Sequence, residues 1–308
     1  MTTGNNAPAV PATGEQFRLE RGRASAVVGS LGGALRSFTV DGTQLVETYP
    51  DDAIPPSAAG ILLAPWPNRV AGGRWILNGR EQQLDITDPA RGNAIHGLLR
   101  NTGYVPVEVA GDAVRLSAVI YPQHGYPFHL LHEVLYRIAE DGGLCVRQSL
   151  TNLSAARAPF ALGAHPFLRL GEVPTEDLIL QVGAGTRLTT DASMIPDGRE
   201  PVSGDWDLRS GRRTGSLALD TAYTDLLQSG GKYRHVLAAP DGRSVQLWAE
   251  QSFGYVHVFV TDRFPGRSCA VALEPMTAPA NAFNSGEGLR WLEPGNTFSA
   301  EWGIQAAL

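Results

Sequence analysis

Four segments bring proton-handling and hydroxyl-binding side chains together among prolines and glycines: 64–73 (APWPNRVAGG), 92–100 (GNAIHGLLR), 162–168 (LGAHPFL) and 272–284 (ALEPMTAPANAFN). They carry Asn68 and Arg69, His96, His165, and Glu274, without a serine or cysteine nucleophile. Glu274 follows the apolar run 270–273 and precedes a proline, which places a carboxylate at the end of a buried strand. A carboxylate there must be paired, face a cleft, or have its pKa raised. It reads either as a general base or as a cap on the Pro-rich loop. Histidine is the side chain whose ordinary pKa lets it give or take a proton near neutrality. His165, opening a turn before Pro166, and His96, between Ile95 and Gly97, are therefore acid–base candidates; the alternative for each is a structural histidine. The forked donors of Arg69, beside Asn68, could clamp a polyhydroxylated ligand or pair with a carboxylate.

Other chemistries fit less well. His124, His129 and His132 fall within nine positions, but side chains alternate along a strand, so His129 and His132 point to opposite faces. No metal is expected. No phosphate-cradling GxxxxGK[ST] loop occurs, and the glycine doublets sit at hairpin positions. Cys145 and Cys269 lie in strand-like runs without ligand spacing and are expected to be buried free thiols.

The elements that must hold these residues are strands. Short runs alternate with period two, at 113–120, 130–138, 144–150, 245–250 and 255–260. In the last, Val256, Val258 and Val260 share one face, and His257 and Phe259 the other. Asp41-Gly42, Asn78-Gly79, Asp141-Gly142-Gly143 and Asp241-Gly242 sit between such runs as hairpin closures. Helix is limited to single turns near 56–59 and 285–291, too short to cover a parallel sheet. The expected fold is all-β, a large single-domain antiparallel β-sandwich over 16–308, after a flexible Ala/Pro/Thr/Gly-rich leader at 1–15. No linker or fixed-period repeat divides it.

Composition narrows the partners. In 308 residues the 35 glycines and 21 prolines mark a turn-rich chain without a collagen period. The net charge is -6 and Lys232 is the sole lysine, while the arginines are scattered among acids, which argues against nucleic acid. No run approaches 18 apolar residues, and the first residues lack a basic flank and apolar stretch. A cytoplasmic protein with no membrane partner, monomeric or homodimeric, is expected.

The motifs together resemble the aldose 1-epimerase (mutarotase) family, of the galactose mutarotase-like β-sandwich superfamily. Its Asn-Arg motif matches Asn68-Arg69, Asn-x-x-His-Gly matches Asn93, His96 and Gly97, and Gly-x-His-Pro-[FY] matches Gly163, His165, Pro166 and Phe167. Leu-Asp-x-x-[FY] matches Leu219, Asp220 and Tyr223, and Glu-Pro before Leu-x-Pro-Gly matches Glu274-Pro275 and Leu292–Gly295. The resemblance spans about residues 20–305 in order. It departs from the pattern at Leu98, where many relatives have a second glycine, and at 101–104 (NTGY), which lacks a common aromatic; both bear on substrate identity.

The resemblance implies the supersandwich fold and an isomerase that interconverts the α and β anomers of an aldohexose such as glucose or galactose, without cofactor or metal. It implies Glu274 as base at the C1 hydroxyl, His165 as acid at the ring oxygen, and His96 bonding near that oxygen. Asn68, Arg69 and Asp220 would bind substrate, with Asp225 a rival for the last carboxylate. Trp66, Trp75, Trp248 and Phe167 are candidate stacking surfaces for a sugar, or core residues. A hexose-6-phosphate epimerase, using arginines such as Arg74, Arg91 and Arg100, and a non-catalytic carbohydrate-binding sandwich are the alternatives.

Overall fold

The computed structural model describes residues 11–308. Alternating apolar residues form strands because successive side chains project to opposite faces, so one row can be buried while the other is solvated. The meander Ala113–Ile120, Leu130–Ile138 and Leu144–Asn152 shows this: Val114, Leu116, Ile120, Leu130, Val134, Tyr136 and Ile138 are buried in register. Asp141 closes the last turn by accepting the Gly143 N–H at 3.0 Å. The other three hairpin signals likewise join paired strands.

Two large antiparallel sheets carry the fold. A ten-stranded sheet extends the meander through Thr297–Ala307, Ser244–Ala249 and Lys232–Ala238. An eight-stranded sheet runs from Pro196–Pro201 through Ala184–Thr190, Asp220–Leu226, Tyr255–Thr261 and Ala270–Met276 to Gly163–Ala164 and Leu62–Leu63. A four-stranded sheet covers 16–44. Leu116 and Trp302 of one large sheet and Val258 and Leu273 of the other belong to one apolar cluster, which also takes in Phe17 and Phe38. Each such side chain contributes about 1.5–3 kcal/mol by leaving water.

The helical turns differ in part from expectation. One is a 3₁₀ turn at Pro56–Ala58, as placed. The other lies at Ala282–Ser285 rather than 285–291, because Gly286 and Gly288 take positive φ and end it. Arg290–Leu292 then becomes a strand beside Ala158–Phe160. Of the expected leader, residues 1–10 lie outside the described residues; Thr13 is buried, its N–H donating to the Asp51 carbonyl. Among the described residues no helix is long and apolar enough to cross a membrane.

Candidate active site

Pleat and register place Asp220, His257, Phe259 and Glu274 on one face of the eight-stranded sheet. His257 lies directly across from Glu274, Phe259 across from Ala272, and Asp220 across from Phe259. Their neighbours Val256, Val258 and Leu273 turn into the core. Glu274 thus stands inside the Ala270–Met276 strand, not at its end as the following proline suggested. Pro275 is tolerated because the ladder on one side is interrupted there, with partners at Val271, Ala272 and Met276 only.

His165 fills that interruption. Gly163 and Phe167 both pair with the Glu274 strand, and Ala164 and His165 break away between them. The His165 N–H donates to the Ile61 carbonyl at 3.0 Å, and its carbonyl accepts from the Gly60 N–H at 2.8 Å. Its ring stacks on Phe167 with centroids 5.3 Å apart.

Asn68 and His96 sit on adjoining turns, both at left-handed φ, 52° and 64°. The His96 N–H donates to the Asn68 carbonyl at 2.9 Å, and Arg69 pairs with Ile95. Gly97 has φ 73°, and a Cβ there would lie 2.0 Å from the Ala64 carbonyl oxygen, so only glycine lets the turn approach so closely. This turn delivers the His96 ring edge-on to His165, centroids 5.3 Å apart.

All six residues singled out in the sequence, Asn68, Arg69, His96, His165, Asp220 and Glu274, line one cavity of about 390 Å³, together with His257, Phe259 and Arg100. Glu274 is 2% exposed and His165 4%; Nε2 of the histidine is 3.3 Å from Oε1 of the glutamate. Their other polar atoms, Glu274 Oε2 and His165 Nδ1, are buried without a partner, as is His96 Nδ1. Such atoms are costly unless a ligand meets them.

Burial holds the His165 pKa below its ordinary value, although Glu274 pulls it upward. Burial also drives His96 well below, and the charges of His165 and Arg100 push the same way. His96 is therefore neutral near pH 7. Asp220 behaves oppositely: burial would raise it, but the hydrogen bond and charge of His257 hold it at about 2. His257 donates from Nε2 to Asp220 Oδ1 at 2.7 Å. Burial favours its neutral ring, yet Asp220 and Glu274 outweigh that and raise its pKa. Asn68 Oδ1 accepts the Arg69 N–H at 2.9 Å, which turns its amide nitrogen toward His257 Nδ1 at 3.4 Å. Arg69 Nε donates to Asp88 at 2.9 Å.

His257 is the site residue that the motifs did not single out. The signal was its place, with Phe259, on the face opposite the valines, once the hairpin register is known. Of the two readings of the aromatic candidates, the structure takes the core one. Trp66 and Trp75 pack with Tyr126 and Phe283, Phe167 lies under His165, and Lys232 covers Trp248. Phe259 is the aromatic ring in the cavity wall apart from the histidines. Asp225 is outside the cavity, exposed, and accepts from the Thr186 hydroxyl at 2.5 Å. His124 bonds Asp85, His129 stacks on Tyr121, and His132 is buried against the Tyr104 hydroxyl, so the three diverge. Among the described residues no three His, Cys, Asp or Glu are gathered as metal ligands. Cys145 is half-buried and Cys269 buried; both are free.

The sequence pattern of the aldose 1-epimerase family matches residues 15–305. The chain is 29% identical to the uncharacterized protein YihR of Escherichia coli K12, over 92% of this chain and 90% of that one. A galactose mutarotase-like protein from Clostridium acetobutylicum shares the fold with TM-score 0.84 at 17% identity, over 94% of each chain. A galactose 1-epimerase from Lactobacillus acidophilus NCFM does so with TM-score 0.79 at 20% identity, over 94% of this chain and 93% of that one.

Proposed function

Since the chain belongs to the aldose 1-epimerase family, we propose that it interconverts the α and β anomers of an aldohexose such as glucose or galactose by acid–base ring opening. Anomerisation needs a proton removed from the C1 hydroxyl and one delivered to the ring oxygen, two oxygens bonded to the same carbon. A base and an acid side by side suffice. The observation that carries this reading is the buried Glu274–His165 contact in a cavity wall, each residue keeping a second polar atom unpaired.

Glu274 takes the C1 hydroxyl proton while His165, which the Glu274 carboxylate pulls toward its charged form against its burial, gives one to the ring oxygen. The bond between C1 and the ring oxygen breaks and an open-chain aldehyde forms. Rotation about C1–C2 presents the other carbonyl face. The ring hydroxyl then adds to C1, returning its proton to His165, as the now protonated carboxyl of Glu274 gives its proton to the carbonyl oxygen. Neutral His96 bonds the ring-oxygen side. Asn68 and Arg69 on one wall and ionised Asp220 on another hold sugar hydroxyls, and Phe259 offers an apolar surface. His257 keeps Asp220 ionised and fixed.

Polarimetry of freshly dissolved α-D-glucose and α-D-galactose tests the reading. The protein should accelerate the drift in rotation above the spontaneous rate; an unchanged drift for both sugars contradicts it.

A further inference from the structure

Tyr104, His132 and Gln148 are buried polar side chains that line no part of the sugar cavity. His132 and Gln148 project into the core from Leu130–Ile138 and Leu144–Asn152, among Val134, Val146 and Leu150. The register sets Val134 across from Gln148 and His132 across from Leu150, so His132 and Gln148 are diagonal neighbours. Polar groups in such a core are costly unless paired, and apolar side chains of the same shape would serve stability as well. The three instead form a chain with one direction. Gln148 Nε2 donates to the Gly163 carbonyl at 3.2 Å, which leaves Oε1 as an acceptor on the His132 side. An acceptor there calls for the His132 proton on Nε2, and the Tyr104 hydroxyl, 2.8 Å from Nδ1, is then the donor to that atom. His132 Nε2 and Gln148 Oε1 have no other partner. Burial keeps the Tyr104 hydroxyl protonated and the His132 ring neutral, its pKa lowered to about 4, while hydrogen bonding to Gln148 pulls that pKa upward.

The chain ends at the root of the break that carries His165. Gly163 pairs with the Glu274 strand just before His165 leaves it. A Cβ on Gly163 would lie 3.1 Å from the Pro275 carbonyl oxygen and 3.0 Å from Cβ of Pro67, so this backbone is wedged between the neighbours of Glu274 and of Asn68. The residues around it are tied within their own side of the sandwich: Leu162 to Thr277, Ala164 to Leu62, and His165 to Gly60 and Ile61. Gln148 grips Gly163 from the opposite sheet. We propose that Tyr104, His132 and Gln148 are positioning residues, which set His165 against Glu274 by holding the Gly163 carbonyl across the core. The proposal rests on the mutarotase reading and extends its machinery to residues outside the cavity. Hydrogen bonds suit the task because they fix direction, which apolar burial does not.

The test uses three variants: Gln148→Leu, which keeps bulk but removes the donor; Tyr104→Phe, which removes only the hydroxyl; and Val146→Ala, which loosens the same core face without touching a polar group. Gln148→Leu should lower the anomerisation kcat about 10-fold or more with little change in KM, because a small misplacement of a reacting group costs that much. Tyr104→Phe should act in the same direction by a smaller factor. Val146→Ala should lower the melting temperature and leave kcat in place. Nitrogen NMR of the histidine rings supplies a readout besides turnover: the His165 signals should shift in Gln148→Leu and Tyr104→Phe and stay in Val146→Ala. Wild-type kcat in Gln148→Leu, or unmoved His165 signals, overturns the positioning role and leaves mutarotation standing. So does a Val146→Ala that loses as much kcat as the polar variants at an equal fall in melting temperature. Should Gln148→Leu not fold, Tyr104→Phe carries the same two readouts. If the wild type turns over no aldose, mutarotation fails and the NMR signals decide by themselves: the expected pattern upholds the positioning of His165, and unmoved signals sink it.

Discussion

Glu274 and His165 share one contact of 3.3 Å, and His96 is a second histidine beside them, its ring 5.3 Å from that of His165. Their environments separate their roles. His165 is pulled toward its charged form by Glu274, whereas His96 has no carboxylate partner and is driven well below its ordinary pKa. His165→Asn should therefore depress kcat severely with little change in KM, while His96→Asn should raise KM as well as lower kcat. Steady-state kinetics of both variants checks this; the reverse pattern exchanges the two roles. His257 acts at one remove, through Asp220. Its replacement by Leu takes away the 2.7 Å hydrogen bond that keeps the Asp220 carboxylate at about 2. KM should rise several-fold, and Gln, which can donate from the same place, should recover part of the loss. Equal losses in Leu and Gln variants would show that the hydrogen bond is not what matters.

At the scale of elements, the strands were legible in the sequence because their signals are local. The runs 113–120 and 130–138 coincide with the strands Ala113–Ile120 and Leu130–Ile138, and the Asp-Gly and Asn-Gly dipeptides close hairpins. The motif residues were legible for the same reason, each being tied to a turn that its own neighbours dictate. What depended on register was not. His257 reads as an ordinary member of an alternating strand until the pairing sets it against Glu274, and the choice between sugar platform and core residue for Trp66 and Trp75 is made only by Phe283 and Tyr126, which enclose them. The turn that carries His96 gives the sharpest test at this scale. Gly97→Ala forces a methyl onto the Ala64 carbonyl in a left-handed conformation, which alone costs about 1–2 kcal/mol. The melting temperature should fall and KM should rise together. A variant that melts and turns over like wild type would show that the turn has room to move.

Over the whole molecule, four histidines are buried in conditions that favour the neutral ring. Burial lowers His132 and His235 to about 4, and His96 and His165 also lie below 6.5. Below pH 6.5 the unfolded chain takes up protons that the folded chain refuses. Their contribution to stability is thus fully present above that pH and is lost as pH falls toward about 4, each ring giving up to about 1.4 kcal/mol per pH unit. His257 has the opposite sign: its raised pKa adds stability that is lost as pH rises through the folded value. Asp220 adds stability above 3.8 that is lost toward about 2. Between pH 7 and pH 5 the buried neutral rings dominate, so the urea midpoint should drop across that interval; a flat midpoint would mean that these rings take up protons while folded.

The scaffold holds one carboxylate beside one imidazole, and the direct test of the proposed base is to remove the carboxylate's basicity while keeping its shape. Glu274→Gln should fold with an unchanged melting profile and lose about 10²- to 10⁴-fold of the anomerisation kcat, followed by polarimetry on whichever aldose the wild type turns over fastest. A folded Glu274→Gln that keeps more than about a third of the wild-type kcat would contradict the assignment of Glu274 as the base.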